Sequence, residues 1–219
     1  MTPQQERYTL YEITDALHSL DVEAQETVLN ALQQQAESRR LQQADQVFSD
    51  EIVRFAAIFE RATNDRASDS NIEGWYEDLA VQAETFLELL ATRPAITETE
   101  KLTQETAALT YCYLNIQTGS GDIDITKLVA AGVDVEELEA TFRRGIVTAF
   151  VAEGSVDEYR ATEIVAGYNG LNKLGNLFSP ATWNQIVGSR GTALRAKLIE
   201  TGVPLPELDE NGEYDDFVL

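Results

Sequence analysis

The stretch Ala161–Leu205 reads ATEIVAGYNGLNKLGNLFSPATWNQIVGSRGTALRAKLIETGVPL, and its spacing sets the class of the whole chain. Ile164, Tyr168, Leu171, Leu174 and Phe178 recur three and four residues apart, the period of an amphipathic helix and not of a strand. Ser179 followed by Pro180 reads as an N-cap with proline at the first helical position, after which Trp183, Ile186 and Val187 face inward. Gly188 and Gly191 are read as bracketing a turn before a last helix carrying Leu194, Leu198 and Ile199, and Gly202 and Pro204 end regular structure. The stretch also holds four basic residues, Lys173, Arg190, Arg195 and Lys197, against two acids, Glu163 and Glu200, in a chain of net charge -22. Interface centres are poor in charge and rich in aromatics and arginine, so Tyr168, Leu171, Lys173, Phe178, Trp183, Arg190 and Arg195 form the expected contact surface.

The same helical period runs outward in both directions. Leu10, Ile13, Leu17 and Leu20 mark a first helix, and Asp21 caps a second, with Glu23 and Glu26 near its positive end. Past Leu32 this second helix runs QQQAESRRLQQADQ, too polar to be buried along its length, which predicts a solvated helix or one that packs against copies of itself. Ser49 is read as the cap of a third helix with Ile52, Phe55, Phe59 and Ala62 on one stripe, and residues 64–71 as a loop. Ile72, Tyr76, Leu79, Ala83, Phe86 and Leu90 mark the next helix, flanked by Trp75 and stopped before Pro94. Thr97 and Glu100 spell a capping box for a helix to Gln117 with a stripe of Leu102, Leu109, Cys112 and Ile116.

Residues 118–134 interrupt the rhythm, with a flexible turn at Gly119 and Gly121 and a short helix ended by Gly132. Asp134 caps a helix with Leu138, Phe142, Ile146 and Phe150, ended by Gly154, and Ser155 with Glu158 spells another capping box. Glycines inside the later helices, at 145, 167, 170 and 175, each cost about 1 kcal/mol against alanine. Two causes are open: close helix-to-helix approach, or a helix broken near Asn169 and Gly170. The fold class expected is all-α, a bundle of about seven to nine helices over residues 1–202 with a break near 93–97, followed by an extended acidic arm over 203–219. That arm has six acids and no base from Pro204 onward and ends in Phe217, Val218 and Leu219, an apolar plug suited to docking into a neighbouring subunit.

Composition closes off most chemistry. At 219 residues the chain can bury a core that needs neither disulfide nor metal, and Cys112 and His18 are the lone cysteine and histidine. No cofactor or metal is expected. Nucleophilic catalysis would need His18 and Cys112 in one cleft, di-iron chemistry needs two Glu-x-x-His pairs, and no phosphate-binding glycine loop occurs. Asp122, Asp124 and Thr126 resemble the start of a calcium loop, but Lys127 and Val133 stand where glycine and glutamate are required. Acids number 38 against 16 bases, a field that repels nucleic acid and anionic membranes and argues against a helix-turn-helix around Ser179 and Pro180. The N-terminal residues lack the pattern of an export signal, and no long apolar run occurs, so a cytoplasmic or virion location is expected.

A lysine-poor acidic surface resembles that of proteins from salt-loving archaea and their viruses, where ions screen self-repulsion, although the many glutamines run against it and an ordinary acidic cytosolic protein is the other reading. The function expected is a non-enzymatic assembly subunit that forms homo-oligomers and meets other protein subunits, such as a head-tail connector of a tailed virus of a halophilic host. The alternative is an acidic DNA mimic that occupies a nucleic-acid-binding protein, which would need rows of carboxylates on one face; here the acids are spread over nearly every helix. A carboxylate-based hydrolase is a third class that only a carboxylate-lined cleft would support.

Overall fold

A computed structural model describes residues 18–63, 72–117 and 122–203. Among them every regular element is helical and no strand occurs. In order they are α1 (Val22–Thr63), α2 (Ile72–Thr92), α3 (Glu98–Gln117), α4 (Ile125–Ala130), α5 (Val135–Ala152), α6 (Glu158–Ala166) and α7 (Leu171–Leu174). A 3-10 turn (Gly175–Leu177) follows, then α8 (Pro180–Trp183), a π-helical turn (Asn184–Gly188) and α9 (Ser189–Glu200). The expected first helix, the loop 64–71, the turn at Gly119 and Gly121, and the arm with Phe217, Val218 and Leu219 lie outside the described residues.

The chain divides into two compact units, residues 1–48 and 49–219. In the first, Asp21 caps α1 as expected, its carboxylate accepting from the Ala24 N–H at 2.8 Å. From Leu29 to Val47 every side chain described is exposed, as the polar composition predicts. Ser49 does not start a new helix. α1 runs through it without interruption for 42 residues, because no glycine or proline stands there to break it and serine is a tolerated interior residue.

The second unit is built around α3, which is buried on almost every side from Thr106 to Leu114. α2, α5, α9, the 3-10 turn and the π turn all pack on it. Its expected stripe of Leu102, Leu109, Cys112 and Ile116 is only part of what it buries. Thr103, Thr106 and Thr110 lie fully inside as well, and each hydroxyl donates to the carbonyl one turn back, at 2.8, 2.7 and 2.7 Å. A hydroxyl satisfied within its own helix costs little to bury, so these positions read as polar in sequence and behave as core. Cys112 is fully buried and burial pushes its thiol far up, the state of a small hydrophobe and not of a nucleophile.

Helix ends follow local chemistry. Glu100 closes the Thr97 capping box: the Glu100 N–H donates to Thr97 Oγ1 at 3.2 Å, and the Glu100 carboxylate accepts from the N–H groups of Ile96 and Thr97 at 2.7 and 2.9 Å and from Arg93 at 3.0 Å. Burial works to raise its pKa, but the N–H groups of Thr97 and Ile96 and the Arg93 guanidinium together hold the carboxyl below its ordinary value. Asp124 and Asp134 cap α4 and α5. Ser155 does not cap α6. Asp157 does, its carboxylate taking the Arg160 N–H at 2.8 Å, because an ionised cap two residues on competes better for the same free donors.

The interior glycines have two separate explanations. Gly170 has φ +86 and breaks α6 from α7, so the single helix from Ile164 to Phe178 is two short ones. Arg143 on α5 clamps this break, donating to the carbonyls of Val165 at 2.9 Å and Tyr168 at 2.6 Å while Glu139 holds its guanidinium. Gly145, Gly175 and Gly191 instead serve close approach. A β-carbon would stand 2.1 Å from Ile186 at the first, 2.8 Å from Ile116 at the second and 1.8 Å from the Phe59 ring at the third. Gly188 and Gly191 therefore do not bracket a turn: α8, the π turn and α9 run on continuously, and Gly191 is the notch that receives Phe59.

Two predictions follow from this packing. Gly191→Ala lowers unfolding free energy by about 1–3 kcal/mol in a denaturant titration, since ring or helix must shift, whereas Gly188→Ala, with no neighbour nearer than 3.8 Å, is neutral or stabilising by up to about 1 kcal/mol. Glu100 contributes stability that is present above the unfolded carboxyl value of about 4.3 and is lost as pH falls through its lower folded value. Glu100→Gln is accordingly destabilised by about 1.5–3 kcal/mol at neutral pH, and the gap to wild type closes in acid; a gap that persists unchanged at pH about 2 contradicts this.

Candidate functional site

Two surfaces of the described residues invite a functional reading, one in each unit. In the second unit an aromatic chain crosses the interior. Phe86 and Phe55 have centroids 6.2 Å apart, Phe55 and Phe59 6.0 Å, Phe59 and Trp183 6.1 Å, Trp183 and Tyr113 4.9 Å, Tyr113 and Phe178 5.3 Å, and Phe178 and Phe142 4.8 Å. Tyr76 meets Trp183 edge-on at 5.7 Å. Trp183 sits at the last turn before the π segment, where the backbone takes one extra residue per turn, a distortion common at functional sites.

Clefts open on both sides of this tryptophan. One, of about 360 Å³, is lined by Phe59, Glu60, Trp183, Asn184, Ser189, Thr192 and Arg195, among others. The other, of about 530 Å³, lies between Tyr76, Glu77, Tyr113, Leu114, Gln117, Pro180, Trp183 and Asn184. Tyr113 donates to the Ser179 carbonyl at 2.9 Å, and burial, with a smaller push from Tyr76, raises its phenol to about 12. A phenol so spent and so weakly acidic is a structural hydrogen-bond donor, not a proton shuttle at neutral pH.

The expected contact residues scatter. Leu171 and Trp183 are 2% and 7% exposed, so their side chains belong to the interior, Trp183 meeting solvent only where it lines the clefts. Phe178 is half-buried between Tyr113 and Phe142, and Tyr168 is half-buried at the clamped break. Lys173 is exposed. Arg190 and Arg195 face acids of other helices, Glu105 on α3 at 3.7 Å and Glu60 on α1 at 2.7 Å, and Lys197 reaches Glu98 at 3.1 Å and Glu200 at 3.2 Å. The poverty of acids in Ala161–Leu205 is thus matched by acids contributed from α1 and α3. Phe217, Val218 and Leu219 lie outside the described residues.

The first unit carries the second surface. On α1 the exposed residues Val22, Leu29, Leu32, Ala36, Arg40 and Val47 fall within about 80° of arc at 100° per residue, one stripe along the helix. The four large apolar members are 71%, 50%, 47% and 52% exposed. Sequence reading marked this helix as polar and passed over the stripe, because its apolar residues are diluted by glutamines and interrupted by an arginine. The usable signal was the heptad step from Val22 to Leu29 to Ala36.

Among the described residues no three or more His, Cys, Asp or Glu side chains gather as metal ligands, and no helix is long and apolar enough to cross a membrane. Comparison with protein families, curated proteins and solved structures finds no match to this chain. Trp183 separates a core role from a binding role by stability alone: Trp183→Ala loses about 3–5 kcal/mol of unfolding free energy, measured by denaturant titration, whereas a residue serving only as a contact would leave stability unchanged.

Proposed function

We propose that the protein is a non-enzymatic assembly subunit that associates with copies of itself through its α1 helix. The observation that carries this reading is the run from Leu29 to Val47, helical yet exposed at every side chain described. Helix nucleation is costly, and most helical stability in proteins comes from packing an apolar face. A chain that builds such a helix and leaves an aliphatic stripe bare on it has an intermolecular contact available there. The chemistry of the second unit supports the same reading: Cys112 is buried and inert, the Glu100 carboxylate is engaged by three donors, and the two clefts at Trp183 pair a single carboxylate each with aromatic and amide groups. Partners beyond the chain itself, including the shell or connector of a virus particle, fit an acidic subunit of this shape-based kind.

The charge of -22 sets the conditions of the test. Salt screens self-repulsion, with a Debye length near 10 Å at 0.1 M and about 3 Å at 1 M, so a subunit adapted to high salt gains stability and keeps its oligomer as salt rises. A DNA mimic instead loses its partner. Sedimentation equilibrium at about 0.1 M and about 2 M potassium chloride is expected to give an oligomeric mass at both, with a melting temperature about 5 °C higher in the second. A monomer at both salt concentrations overturns the reading.

A further inference from the structure

We infer that the partner seated on the α1 stripe is the same stripe of a second copy, running antiparallel, with Glu26 of each chain beside Arg40 of the other. This rests on the assembly reading above and adds the occupant and its orientation. The argument is from charge and position. Glu26 and Arg40 are both exposed and flank or enter the apolar stripe from the same side, about 14 residues or some 21 Å apart along the axis. Among the described residues neither forms an ion pair within the chain.

Two copies laid parallel would set Glu26 level with Glu26 and Arg40 level with Arg40 on opposite flanks of the seam, with each opposite charge about two Debye lengths away at physiological salt. Turned antiparallel about a two-fold axis near Gln33, each Glu26 comes level with the other chain's Arg40. Like sides of two helices meet only in antiparallel pairs, so the shared flank of these two residues selects that arrangement. In the same register Leu29 of one chain lies within one residue of the height of Ala36 of the other, a large side chain over a small one. Residues 22–44 overlap, a seam of about 34 Å.

The symmetry doubles every substitution. Arg40→Glu in the full-length protein weakens association about tenfold by sedimentation equilibrium, and adding Glu26→Arg in the same chain restores it, since the swapped charges meet again across the axis. Orientation is read by cross-linking with a short bismaleimide, which leaves the buried Cys112 untouched. A mixture of Glu26→Cys and Arg40→Cys chains, exchanged at equilibrium, is expected to cross-link while each variant alone does not. Cross-linking of each variant with itself shows a parallel pair and overturns the inference. An oligomer that persists without any cross-link, or without response to Arg40→Glu, removes α1 as the seam while leaving self-assembly standing. A wild-type monomer removes both.

Discussion

A helix buried on almost every side over much of its length has to satisfy its own polar groups there, and α3 meets that constraint with threonines. Thr103, Thr106 and Thr110 turn their hydroxyls back onto carbonyls of the same helix, so no neighbour has to supply a partner. At these threonines α2, α5, α9 and the two distorted turns can then pack on the helix without supplying a polar partner. What those neighbours need in return is close approach. Gly145 and Gly191 provide it by giving up their β-carbons to Ile186 and Phe59, and Gly175 does the same for Ile116 of α3 itself. The C-terminal segment is therefore fastened at three notches, two of them on its own backbone and one on α5.

Electrostatics in this unit repeats the division of labour. The bases of α9 and the π-turn region do not form an independent basic patch. Arg190, Arg195 and Lys197 lie against Glu105, Glu60 and Glu98, carried by helices that precede them by many residues in the chain. These pairs are largely solvent-exposed and screened, so each adds little to stability. Their value is in register, since a chain so rich in acid repels itself wherever a base does not intervene. Lys127 does the same between α4 and α2: its burial opposes the charge, but Glu84 and Glu88 together outweigh that and hold it protonated.

The helical class and most helix ends were legible in the sequence because they rest on local chemistry: Asp21, Asp134, the Thr97–Glu100 box and Ser179–Pro180 all cap where their types and spacing say they do. What was not legible depends on tertiary context. Ser49 and Ser155 carry the right side chain for a cap, but a serine inside an uninterrupted helix and one outcompeted by Asp157 look the same in one dimension. The glycines at 170 and 191 illustrate the limit most directly. One is a break at positive φ and the other a notch for a phenylalanine 132 positions earlier, and composition alone assigns them to the same class. Leu171 and Trp183 were misplaced for a related reason, since aromatics and low charge describe a core as well as an interface, and these two went to the core.

The stripe on α1 is poor by the standard of a permanent interface, and that poverty is informative. A strong coiled coil fills its seam with leucine, isoleucine and valine, whereas here glutamine and Arg40 occupy places among Val22, Leu29, Leu32 and Ala36. Each polar residue in a seam lowers affinity but penalises every register in which it lacks a partner, so stability is given up for a defined alignment. Alanines, glutamines, glutamate and leucine supply high helix propensity, which lessens but does not remove the segment's need of a partner. A helix that pairs in one alignment suits reversible, ordered assembly. In a chain of charge -22, long-range repulsion between copies further requires that any such seam be short and locally neutralised, and the Glu26–Arg40 pairing satisfies both conditions.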